Sequence, residues 1–170
     1  MTIICYLKSK FIEMENHDIL IAELKKLLSG GNAHANFEDA VADMPFNLLG
    51  EKPNGLPYSI WQLVEHIRIA QWDMFQFSKD ATYKSPKWPD EYWPKEAAPK
   101  NEVEWTNCLA QIKQDLTDFI ALIESDDIFT EITHGEGQNI LREAFQIADH
   151  NAYHIAEIVV IRRLLKVWKP

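Results

Sequence analysis

Two of the six histidines stand four residues apart, in the run His150-Asn151-Ala152-Tyr153-His154. On a helix, a spacing of four places both rings on one face, one turn apart. In that arrangement two imidazoles can close on a single divalent cation. The stripe through the pair reads Glu143, Ile147, His150, His154, Glu157 and Ile161, and the adjacent stripe reads Phe145, Ala148, Ala152, Ile155 and Val159. The adjacent stripe reads as core, so the pair borders a buried face, where two polar rings need partners. His66 lies on a second stripe with Leu63, Ala70 and Asp73, again beside a core. Three inward histidines from two helices form a three-nitrogen metal site. The alternative is three core histidines satisfied by carboxylates such as Asp73 or Glu157. Those two carboxylates are candidates to back the histidines or to act as acid or base. His34, after Gly31-Asn32-Ala33, is a candidate for the pocket mouth, whereas His17 and His134 read as surface or turn residues.

Apolar spacing and punctuation define the elements that must carry these rings. A first helix is expected over about 16–29, with Ile19, Leu20, Leu24, Leu27 and Leu28 on one face and Gly30-Gly31 as its stop. A short helical piece over 33–43 follows, ended by Pro45, and residues 50–55 are loop. Ser59 caps a second helix whose stripe is Ile60, Leu63, Val64, Ile67, Ala70 and Met74, fading near Ser78. A third helix spans about 102–125, with Leu109, Ile112, Leu116, Phe119, Ile120 and Ile123 inward. Asn139 caps a fourth, which runs to about Lys166.

Residues 80–101 carry Pro86, Pro89, Pro94 and Pro99 among Tyr83, Trp88, Tyr92 and Trp93, so they cannot be helix. Trp88 and Trp93 are candidates to line a pocket; otherwise the cluster anchors a long loop. Four amphipathic helices and no credible sheet make an all-α four-helix bundle. A helix of about 20 residues is about 30 Å long, which twenty-odd extended residues span about twice over. The crossover between the second and third helices can therefore traverse the bundle, letting those two helices run in the same direction.

The 170 residues suit one domain, and 46% hydrophobic with 25% charged residues is ordinary globular composition. Seventeen Lys and Arg against 26 Asp and Glu give a net charge of −9, which argues against nucleic acid or an anionic membrane as partner. No apolar run reaches the ~18 residues that mark a bilayer span. Met1 to Leu7 is apolar but short, with Lys8 and Lys10 after it, unlike a signal peptide. A cytoplasmic location is expected. Two cysteines, Cys5 and Cys108, exclude a disulfide framework and a Cys-rich zinc site.

The run Asp149-His150-Asn151-Ala152-Tyr153-His154-Ile155-Ala156-Glu157-Ile158-Val159, followed by Arg162-Arg163-Leu164, resembles the last helix of the DinB-like superfamily, which includes the bacillithiol transferases. The run Tyr58-Ser59-Ile60-Trp61-Gln62-Leu63-Val64-Glu65-His66-Ile67, with Ala70-Gln71-Trp72-Asp73 after it, resembles that family's second helix. One histidine in the second helix combined with His-x-x-x-His in the fourth is specific; either half alone is weak. The resemblance spans about residues 16–168 and departs at Ala156, where many relatives have glycine. It implies a DinB-like bundle over 14–170 after an N-terminal extension of 1–13, with Met14 at the point where the pattern opens. It further implies a homodimer and one divalent metal on His66, His150 and His154. Zinc suits the set best; nickel, manganese and iron also accept imidazole.

Three protein ligands leave coordination open, the catalytic pattern for zinc. The implied function is a metal-dependent transferase activating a small thiol toward an electrophile, or a hydrolase activating water. The alternative is a non-enzymatic metal-binding or stress-response protein of the same fold. A metalloprotease is disfavoured because Asn151 stands where that class places its glutamate base.

Overall fold

Helix starts and stops follow from local side-chain chemistry. The computed structural model describes residues 3–30, 33–125 and 127–169, with side chains from residue 15 onward. Helix α1 is Ile3–Leu28. It stops at Gly30, whose φ of +101° is a backbone state that L side chains rarely adopt. A Cβ at Gly30 would also stand 2.4 Å from that of Asn36. The helix starts well before the expected residue 16, because no proline or glycine interrupts the chain between Ile3 and Leu28. Whether the 1–13 segment packs on the bundle concerns side chains outside the described residues.

The short piece is α2, Phe37–Val41, confined to five residues by an Asn36–Asp39 capping box at its start and extended backbone at Ala42. Helix α3 is Ile60–Lys79. Its Ser59 side chain accepts from Gln62 N–H while the Gln62 side chain accepts from Ser59 N–H. Helix α4 is Glu102–Ser125, with two glutamates in its first turn. Helix α5 is Ile140–Leu164, capped by Asn139, which accepts from Arg142 N–H. The described residues contain no strand, only an isolated bridge between Glu131 and Asn139. None of their helices is long and apolar enough to cross a membrane.

The four long helices, α1, α3, α4 and α5, pack around two apolar clusters. One joins Ile60, Leu63 and Ile67 to Ile112, Ile155 and Ile158. The other joins Leu24 and Leu28 to Phe75, Phe119, Ile123 and Ile147. Contacts between α3 and α4 advance together: Cys108 meets Glu65, the Ile112 carbonyl accepts from Gln71, and Phe119 meets Phe75. These two helices therefore run parallel, and the order of α5 residues in the two clusters sets it antiparallel to both.

The crossover makes this possible. It returns from the end of α3 to its start, where Ser59 Oγ donates to the Ala97 carbonyl and Gln62 Nε2 donates to that of Pro94 at 3.3 Å.

Three expected core positions lie outside. Ile19, Leu27 and Phe145 are 55%, 47% and 46% exposed. In α5 the buried arc runs through Ala144, Ile147 and Ile158, so Phe145 falls about a quarter-turn off it.

Candidate metal centre

His66 reaches inward from the middle of α3, and His150 and His154 face it from successive turns of α5. One ring nitrogen from each lies within 4.8 Å of the others, a grouping that can hold a metal ion. His66 and His154 are buried and His150 is half-buried.

The outward nitrogens of two rings are already committed. His66 Nδ1 lies 2.8 Å from the Tyr92 carbonyl, and a carbonyl only accepts, so the proton sits on Nδ1. His154 Nδ1 donates to Glu157 Oε2 at 2.7 Å. Each ring is thereby left with its Nε2 lone pair for the centre, the orientation seen when a carboxylate or carbonyl backs a ligating imidazole. Among the described residues His150 has no comparable partner: Asn151 Oδ1 is 3.5 Å from its Nδ1, too far for a good hydrogen bond. Its Nε2 instead lies 3.0 Å from that of His66.

That contact is met either by a neutral His150 donating from Nε2–H to the His66 lone pair or by a cation shared between two lone pairs. A charged imidazole is disfavoured there. Burial first, then the neighbouring rings, pushes His150 down to about 4. Burial, then His66, does the same to His154, and burial lowers His66. Neutral imidazoles are the form that ligates a metal, so this donor set fits a divalent cation.

Aromatic rings close one side. Trp93 stacks on His66 with centroids 3.8 Å apart and planes 7° from parallel, and Tyr58 stacks on the far face of the arrangement at 3.9 Å from Trp93. Beyond Glu157 lies an apolar cavity of about 310 Å³ between the start of α3 and the end of α5, lined by Leu56, Tyr58, Leu63, Tyr153 and Val160.

Of the other candidates, Glu157 touches the cluster directly. Asp73 does so only at one remove, accepting from the Tyr92 hydroxyl at 2.5 Å. Trp93 forms a wall of the centre, whereas Trp88 is 71% exposed and packs edge-on against Tyr92. His34 is exposed, bonds the Ala35 carbonyl, and lines a separate cavity of about 340 Å³ between α1, α4 and α5. Sequence reasoning missed the Tyr92 carbonyl and the Tyr58 ring. The tyrosine before the capping serine was the one available signal for Tyr58; a backbone acceptor leaves none.

Cys108 is buried, and its Sγ donates to Glu65 at 3.2 Å. Burial, reinforced by Glu65, pushes this thiol well above its ordinary range, so it is a poor nucleophile.

The model of the DinB superfamily matches residues 32–158, well over half of the chain. No curated protein and no solved structure matches it.

Proposed function

The chain belongs to the DinB superfamily, and from that premise we propose that it is a metal-dependent transferase joining a small thiol to an electrophile. The observation that carries this reading is the convergence of three neutral imidazoles, two of them with the outer nitrogen already engaged. His66, His150 and His154 would hold one divalent ion, zinc first among the candidates. When bound, that ion supplies the positive charge that keeps a thiol, or a water, deprotonated near neutral pH.

The chain's own groups do the rest. Glu157 keeps the proton on His154 Nδ1, and the Tyr92 carbonyl keeps one on His66 Nδ1. Trp93 and Tyr58 exclude water from the His66 side. The apolar cavity beside Glu157 offers room for an uncharged electrophile. In the overall reaction the S–H bond and the bond from the electrophilic carbon to its leaving group break, a C–S bond forms, and the proton and the leaving group with its electron pair pass to solvent.

The test uses untagged protein, metal analysis, and thiol consumption against a panel of electrophiles at pH 7. Activity is expected to vanish with a chelator and to return with zinc or another divalent ion. His150→Ala should abolish it while Cys108→Ser leaves it largely intact. Loss on Cys108→Ser with the metal retained would make the protein's own thiol the nucleophile and sink this mechanism. Metal-loaded protein that consumes no thiol would favour a non-enzymatic metal-binding role.

A further inference from the structure

The crossover reaches the histidines through two consecutive residues. Tyr92 offers its carbonyl to His66 Nδ1–H at 2.8 Å, and Trp93 lies flat on the same ring. A connection made of turns holds such a position only if it is tied down. Gln62 and Ser59 hold the stretch after Trp93 at the Pro94 and Ala97 carbonyls, and Tyr92 itself is held by its other end, whose hydroxyl donates to Asp73 Oδ2 at 2.5 Å. Asp73 stands seven residues beyond His66, two turns along α3. One rigid helix therefore carries both the histidine and the anchor, and Tyr92 spans between them.

A second crossover residue, Tyr83, faces the same carboxylate; burial, then Asp73, pushes its phenol up to about 12. Asp73 Oδ1 is buried without a hydrogen-bond partner among the described residues. Asp73 thus faces two phenols: Tyr92 engages Oδ2 at 2.5 Å, and Tyr83 is a second, looser neighbour of the same carboxylate.

We propose that Asp73 is a positioning residue of the metal centre: through the Tyr92 hydroxyl it fixes the carbonyl that holds His66 with Nε2 toward His150 and His154. It is not an acid or base at the reacting atoms. The inference rests on the metal-binding reading above, and its test separates the two.

Zinc affinity of the full-length protein is measured by competition with a chelator at neutral pH. Asp73→Ala and Tyr92→Phe should each weaken zinc by about tenfold, the lower end for groups that orient a ligating histidine. The double variant should be no weaker than the poorer single, because both cut one path. Asp73→Asn should keep most of the affinity, since its amide oxygen still accepts from the phenol.

Wild-type affinity in Tyr92→Phe, or losses that add in the double variant, would overturn the proposal. So would an Asp73→Asn as weak as Asp73→Ala, because charge rather than the hydrogen bond would then be responsible. Should Asp73→Ala fail to fold, Tyr92→Phe and Asp73→Asn decide the matter. If the wild-type protein binds no zinc, the metal reading fails, and the His66 tautomer in metal-free protein still tests the positioning. Nitrogen-15 NMR should find Nδ1–H in the wild type and a tautomer mixture in Tyr92→Phe. An unchanged tautomer would refute the role.

Discussion

His150 and His154 are folded into a place that disfavours their charged forms, and this makes the metal-free protein sensitive to acid. Their folded values of about 4 lie below the ordinary histidine value of 6.5. Between those limits the unfolded chain binds more protons than the folded one, so stability falls as pH drops from about 6.5 toward 4. Above that window these two groups contribute no slope. The melting temperature of chelator-treated protein is expected to decline across the window. In a His150→Ala, His154→Ala double variant the decline should be shallower. An equally steep decline would place the acid sensitivity elsewhere. Metal should steepen the wild-type dependence, because protons and the cation compete for the same nitrogens.

At the scale of elements, the last turn of α5 holds α2 in place. Arg162 is 3% exposed and donates to the carbonyls of Ala40 at 2.7 Å, Ala42 at 2.8 Å and Asp39 at 3.2 Å. It also donates to the Val167 carbonyl and lies over the Trp168 ring. Near the C-terminus of its own helix, Arg162 nonetheless serves chiefly the carbonyl end of another helix. Replacing it with leucine removes charge-assisted bonds and leaves buried carbonyls without donors. The expected cost is about 3 kcal/mol, the sum of a small number of such bonds. Urea denaturation would read this as a lower midpoint at unchanged slope. Arg162→Lys should recover only part of the loss, because an ammonium cannot fork to carbonyls on two sides.

The whole molecule combines a net charge of −9 with a stripe of exposed apolar side chains on α5: Tyr153, Val160 and Leu164, at 64%, 47% and 41% exposure. These residues recur at helical spacing on one side of the helix that carries His150 and His154. Tyr153 and Val160 also line the cavity beside Glu157, so pairing through this face would wall that cavity as well as bury apolar area that one copy leaves in water. A homodimer is the expected solution state, and light scattering at micromolar concentration should return twice the chain mass. A Val160→Asp variant should then shift to the single-chain mass without loss of helicity. Single-chain mass in the wild type would refute the dimer, as would a crystal in which no contact exceeds about 1,000 Å² of buried surface.

Much of this was legible in the residues alone, because helical periodicity and end-capping are local. Ser59 and Asn139 announce the starts of α3 and α5, the proline-rich run announces the crossover, and its length allows α3 and α4 to run parallel. His66, His150 and His154 could be singled out because spacing on a helix translates directly into direction. Tertiary structure decided what spacing cannot express. Phe145 and Leu27 are turned outward because burial depends on which neighbour occupies each side. Trp93 rather than Trp88 covers His66 because the crossover places successive aromatics at different depths. The hydrogen bond that fixes the His66 tautomer ends on the Tyr92 backbone carbonyl, a group every residue possesses, and only the path of the chain determines which one arrives.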